Sequence, residues 1–172
     1  MSLVLETDRL ILRPHAIYDF DAYCALWSDP DVVRFIGGTP FTREACWQRF
    51  LRHPGIWHYL GFGYLVITER ENGRYIGEAG FHDMRREITP SLEGTLEAGW
   101  ALMPSAQGRG YGYEAMEALV AWADETFAGR RMTCIIEPAN VPSVRIATRL
   151  GFTQFAEAPY HGTPLTLYER TA

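Results

Sequence analysis

The run from Leu96 to Phe127, LEAGWALMPSAQGRGYGYEAMEALVAWADETF, decides how the rest of the chain is read. It begins as a strand. Leu96, Ala98, Trp100 and Leu102 alternate with Glu97, Gly99, Ala101 and Met103, which gives two distinct faces. Pro104 ends that strand, because it has no N–H to give to a ladder. Met116, Leu119, Val120, Ala123 and Phe127 then recur at helical spacing and predict a long amphipathic helix. Between strand and helix stands Gln107-Gly108-Arg109-Gly110-Tyr111-Gly112. Its glycines open dihedrals closed to other residues and let a ligand approach the backbone. The free N–H groups there meet the positive end of the helix macrodipole, so the loop is expected to hold an anion such as a pyrophosphate.

Nucleotide motifs fit this loop badly. A phosphate-binding loop of the NTPases needs Lys and then Ser or Thr after its last glycine, and Tyr113-Glu114 stands there instead. A dinucleotide fingerprint needs its third glycine three residues after the second, whereas Gly112 follows Gly110 by two. Its acidic ribose ligand would have to be Glu137, which comes late and directly before Pro138.

Outward from this centre the chain alternates strands and helices without repeats or linkers. Leu5 to Arg13 reads as a strand, Tyr18 to Trp27 as a helix, and Ser28-Asp29-Pro30 as the start of a short helix through Val33 and Phe35. Thr42 caps a helix through Trp47 and Leu51. His53 to Gly63, with Trp57, His58, Tyr59 and Phe62, reads as a connecting segment. Tyr64–Glu69 and Tyr75–Phe81 form a hairpin about Glu71-Asn72-Gly73. Asp83 to Gly94 is a long polar loop, and Arg131–Ile136 is a strand. Asn140 caps a helix ended by Gly151, and Thr153–Phe155 and Leu165–Tyr168 are the last strands.

The expected architecture is a single α+β domain over residues 1–172. About seven strands form a mixed, mostly antiparallel sheet flanked by helices. With 47% hydrophobic and 22% charged residues the chain has the composition of a soluble globular protein. A net charge of −5 argues against a nucleic-acid partner and leans toward a cationic substrate. Cys24, Cys46 and Cys134 are odd in number and lack metal spacing, which predicts reduced thiols, a cytoplasmic location and no metal site. Neither a signal peptide nor a membrane-length apolar run is read in the sequence.

A different pattern fits the loop well. Gln107-x-x-Gly110-x-Gly112 between a strand and a helix resembles the acyl-CoA pyrophosphate loop of the GNAT superfamily of N-acetyltransferases. Glu6-Thr7-Asp8-Arg9-Leu10-Ile11-Leu12-Arg13-Pro14 resembles the first strand of its ribosomal-protein N-terminal acetyltransferase-like branch. So do Ser28-Asp29-Pro30-Asp31-Val32, Gly37-Gly38-Thr39-Pro40-Phe41, Pro138-Ala139-Asn140-Val141-Pro142-Ser143 and Leu150-Gly151-Phe152, in the same order. The resemblance implies a sheet splayed at its central strands. It implies acetyl-CoA as co-substrate, with no metal, and a primary amine as acceptor, in a monomer or homodimer. It further implies that the pantetheine arm lies along Trp100, Ala101 and Leu102, that Gln107, Gly108, Arg109, Gly110, Tyr111, Gly112 and Tyr113 surround the pyrophosphate, and that Asn140 meets the pantetheine.

Acyl transfer to an amine must remove an ammonium proton, stabilise an oxyanion and assist a leaving thiolate. Glu97 is the first candidate base, since it shares a strand face with the small Gly99 and Ala101, which leave room beside it. Glu78 and His82 on the neighbouring strand, and bulk water, are its rivals. The commonest superfamily pattern places a tyrosine as thiolate acid where this chain has Ala147; a branch resembling this one has a serine at Ser143, which becomes the candidate acid. Asn140 and Ser143 are equally good helix-start caps. Trp57, His58, Tyr59 and Phe62 are either core or, by resemblance, an acceptor pocket. A catalytically silent acyl-CoA-binding module is the alternative to an enzyme.

Overall fold

A computed structural model describes residues 3–171. The polypeptide runs β1 (Leu5–Glu6), β2 (Leu10–Arg13), α1 (Phe20–Trp27), α2 (Pro30–Val33), α3 (Arg43–Phe50) and α4 (Arg52–Leu60). It continues through β3 (Tyr64–Glu69), β4 (Tyr75–His82), β5 (Leu96–Leu102), α5 (Tyr111–Thr126), β6 (Met132–Ile136), α6 (Val141–Arg149), β7 (Thr153–Tyr160) and β8 (Thr163–Arg170). The sheet has eight strands in the order β1-β2-β3-β4-β5-β6-β8-β7. Every neighbouring pair is antiparallel except β5 and β6, which the crossover through α5 makes parallel. The count exceeds the expected seven because the first strand is broken at Thr7. The Thr7 hydroxyl accepts from the Leu10 N–H at 3.0 Å and turns the chain back on itself.

The two faces of β5 serve two cores. Leu96 and Ala98 belong to the main core with Leu65, Ile67 and Phe81 of the sheet and Met116, Leu119 and Ala123 of α5. Ala101, on the opposite face, packs among Tyr23, Leu26, Trp27, Cys46 and Phe50 of α1 and α3. Each large apolar side chain taken fully out of water contributes about 1.5–3 kcal/mol. Burial of both faces therefore fixes the register of β5, since a slip by one residue would exchange the two sets.

One expectation is corrected. The segment after His53 is no connector but helix α4, and Pro54 sits in its first turn, where a missing N–H costs nothing. Gly61 ends it in the left-handed region at φ 74°. No helix among the described residues is long and apolar enough to cross a membrane.

Candidate active site

Strands β5 and β6 stay in register only at Leu96 opposite Met132 and Glu97 opposite Thr133. Beyond that point β5 remains paired with β4 to Leu102, while β6 follows β8 to Ile136. The two strands diverge, and a cavity of about 350 Å³ opens between them. Its walls include Glu97 to Trp100 of β5, Cys134 to Glu137 at the end of β6, and Asn140 and Ser143 at the start of α6. Trp27, Phe41 and Arg49 close it from the α1–α3 side, and Tyr160 and Leu165 from the β7–β8 hairpin.

The glycine loop opens from the C-terminal end of β5. Gly108 (φ 72°) and Gly110 (φ 80°) lie in the left-handed region, and α5 begins directly after Gly110. Among the described residues no backbone or side-chain acceptor meets the N–H groups of Gly108 through Tyr113. Glu114 is the first residue whose N–H finds a helical partner, the Gly110 carbonyl at 3.1 Å. Consecutive unpaired donors at the start of a 16-residue helix suit a diphosphate, and a cofactor's phosphates fit here on backbone chemistry alone.

The side chains of the loop are otherwise engaged. Arg109 bonds Glu69 at 3.1 Å, and the Tyr111 hydroxyl donates to the same carboxylate at 3.0 Å. Arg74 and Asn72, with Tyr111 adding to them, hold the Glu69 carboxyl down to about 2. Arg9 clamps the other flank, bonding Glu114 at 2.6 Å and the Arg109 carbonyl at 2.9 Å. Gln107 donates to the Leu102 carbonyl at 3.0 Å and so finishes β5. Tyr113 donates to Glu117 and carries the Arg149 guanidinium 3.7 Å above its ring. Gly112 lies close under α6, where a Cβ would come within 3.0 Å of Ile146.

Glu97 lies at the narrow end of the splay and is only 3% exposed. Burial raises its carboxyl above the usual carboxylate value, and Arg86, whose Nε lies 2.8 and 3.0 Å from the two oxygens, offsets part of that rise. His82 stands opposite it on β4, Nε2 3.6 Å from Glu97 Oε1, and burial pushes the imidazole down to about 3. The room expected beside Glu97 is in fact occupied. The Tyr64 hydroxyl lies over Gly99, where a Cβ would overlap it, and Ala101 is packed against α1 and α3. The small residues of β5 admit the protein's own phenol. Burial raises that phenol well above its ordinary range, so Tyr64 stays neutral at the cavity wall.

Glu78 is completely buried and does not line the cavity. It accepts from the Trp27 indole at 3.0 Å, pairs with His15 at 2.8 Å and has His53 Nε2 at 3.4 Å; the histidines hold it at about 2 despite its burial. Among the described residues His15, His53 and Glu78 are the one group whose ligand-type atoms cluster within 4.8 Å. Their imidazoles stack face to face, 3.9 Å between centroids, and both Nε2 atoms approach the same carboxylate oxygen, Glu78 Oε2, at 2.8 and 3.4 Å.

At α6, Asn140 Oδ1 accepts from the Ser143 N–H at 3.3 Å, an N-cap, and the Ser143 hydroxyl accepts from Trp100 Nε1 at 3.2 Å. Both residues also line the cavity, so capping and a place at the site coexist. Ala147 is fully buried. None of the aromatic cluster after His53 reaches the site: Phe62 is buried in the core, Trp57 donates to the Tyr64 carbonyl at 3.0 Å, and Tyr59 is exposed. Several cavity residues had no sequence signal, among them Arg86 in the polar loop after β4. Tyr64 opens β3 in a run of apolar residues, and Arg49 sits in a helix that reads as surface.

Comparisons with known proteins bear on the family and the fold. A family model described as an acetyltransferase (GNAT) domain matches residues 9–153. An N-acetyltransferase of Bacillus licheniformis, p20, is 29% identical over 149 residues, 86% of this chain and 81% of its own length. A solved GNAT-family acetyltransferase from Bordetella pertussis superposes with a TM-score of 0.88 at 34% identity, covering 98% of this chain and 99% of that one. RimL, a ribosomal L7/L12 α-N-protein acetyltransferase solved with coenzyme A, shares the fold at a TM-score of 0.78 and 18% identity, over 98% of each chain.

Proposed function

The chain belongs to the GNAT acetyltransferase family, and we propose that it transfers the acetyl group of acetyl-CoA to a primary amine. One observation carries the reading: a single splay between β5 and β6 has unpaired loop N–H groups at one end and a buried carboxylate at the other. The co-substrate supplies an activated carbonyl. The residues of the chain supply the rest.

The loop from Gln107 to Tyr113 binds the pyrophosphate through backbone N–H groups, with Arg109 and Tyr111 bracing it against Glu69. The free edge of β5 at Trp100, Ala101 and Leu102, together with Asn140, positions the pantetheine arm. Glu97 takes the proton of the entering ammonium, and its raised affinity for a proton suits that work. The neutral Tyr64 hydroxyl stands at the same wall as a hydrogen-bond donor. Ser143 relays a proton to the departing thiolate. A CoA thiol has a pKa near the cysteine reference of about 8.5, so that proton is worth only about tenfold.

The experiment is a thiol-release assay with acetyl-CoA and a panel of amines, with mass spectrometry of the products. Amine-dependent release with an acetylated product is expected. Tight coenzyme A binding without release on any amine would make the chain a silent acyl-CoA-binding module instead.

A further inference from the structure

Behind Tyr64 a second cavity, about 120 Å³, adjoins the one in the splay. The two share Arg49, Tyr64, His82 and Arg86, and the smaller adds Arg52 and His53. No acidic side chain lines it. Glu78 lies behind His53, engaged with His15 and Trp27, and Arg86 is taken by Glu97. Arg49, half-buried like Arg86, differs from it in its partners. Among the described residues it forms no ion pair, its Nε is buried without a partner, and its guanidinium lies 4.0 Å over the Trp27 ring. The Nδ1 atoms of His53 and His82 are buried and unpartnered around the same chamber. Buried polar atoms normally find partners, so several orphans around one small, acid-free space mark a place for a hydrogen-bonding anion.

We infer that this chamber receives a carboxylate, and that the acceptor is a small primary amine carrying one: a free amino acid or similar aminocarboxylate. The inference rests on the acetyltransferase reading and narrows it. Arg49 binds the carboxylate with charge-assisted hydrogen bonds while stacked on Trp27, and the amine of the same molecule is left facing Glu97. The overall charge of −5 pointed to a cationic substrate, but the local field is set by the lining. A polyamine would meet the unpaired Arg49 with the wrong sign. A peptide amino terminus, whose first carbonyl is an amide, would leave Arg49 unmatched. Arg49 is therefore a specificity-determining residue that touches the substrate's non-reacting end.

The test compares kcat/KM for free amino acids with their α-amides, their decarboxylated amines and a C-terminally amidated peptide, at saturating acetyl-CoA. Losing a charge-assisted hydrogen bond predicts a preference of about tenfold to a hundredfold for the acid over its amide. Arg49→Met, which keeps the apolar stack on Trp27, brings that ratio close to one, chiefly through KM; Arg49→Lys keeps part of it. Thermal melting of both variants controls for the fold. Equal or faster turnover of the amides, the decarboxylated amines or the amidated peptide overturns the carboxylate inference and leaves the acetyltransferase reading intact. Absence of turnover on every amine overturns that reading instead. Calorimetric titration of the same amino acids then decides the chamber: binding lost in Arg49→Met supports it, and no binding to the wild type refutes it.

Discussion

Two opposed influences act on Glu97, and burial outweighs the ion pair. Burial favours its neutral acid, and Arg86 favours the carboxylate. As a base it is active only when ionised, so the rate should rise with pH through its pKa, and a raised pKa puts that limb above the ordinary carboxylate range. Arg86→Met removes the guanidinium charge that lowers it. The limb of the kcat/KM profile should then move to higher pH, with a greater loss of rate at about pH 6 than at about pH 8. A limb that stays in place would mean that another group titrates. Glu97→Gln should cost about a hundredfold or more in turnover with coenzyme A affinity unchanged, which stopped-flow and calorimetry together can read. Ser143→Ala should cost only about tenfold. Glu97 was legible in the sequence because strand alternation assigns it a face. Tyr64 and Arg49 were not, because they reach the cavity from β3 and α3, and nothing in the sequence near Glu97 encodes who will lie across Gly99.

At the scale of elements, the loop between β5 and α5 was the most legible part of the chain, since glycine at defined positions has few other uses. Gly110 has φ 80° directly before the helix, and its Cβ position is nearly open, 3.4 Å from Arg9 Nη2. Gly110→Leu therefore meets little steric opposition but carries the left-handed penalty of about 1–2 kcal/mol, and it puts a side chain where the anion must lie. Circular dichroism should show a modest drop in melting temperature, and calorimetry a loss of coenzyme A binding of about tenfold or more, the equivalent of 1.4 kcal/mol. Unchanged affinity would move the phosphates elsewhere. The parts that were misread are those where tertiary packing outvotes local punctuation. Pro54 and Gly55 look like a break, yet the buried His53 and the packing of Trp57 and Leu60 on the core hold α4 together around them. Similarly, the split of β1 from β2 depends on the Thr7 hydroxyl bonding Glu114 at 2.6 Å, a contact 107 residues away.

On the scale of the whole molecule, both faces of the sheet carry apolar packing, and one of them also holds a cluster of buried ionisable groups. Glu78, His82 and Glu97 all project from the face that α1 and α3 partly cover, with His15 and His53 packed onto them. That asymmetry has a consequence for stability. The folded protein holds His53 at about 4 and His82 at about 3, chiefly through burial, against 6.5 in an unfolded chain. Below about pH 6.5 the unfolded chain takes up protons that the fold refuses, so it binds more protons and stability falls as pH drops. The shift at His53 alone corresponds to about 3 kcal/mol once pH has passed below its folded value. Glu78 adds a loss of the same sign at lower pH: its folded value near 2 lies below 4.5, so its contribution disappears as pH falls from 4.5 toward 2. The melting temperature should therefore be nearly level above about pH 7 and decline steadily on acidification, before any carboxylate of ordinary pKa is protonated. His53→Asn removes one of the two histidines, and should flatten the slope between pH 6.5 and pH 4 whatever it does to the absolute stability. A wild-type curve that instead rises on acidification would mean that Glu78 stabilises protonated histidine more strongly than burial opposes it.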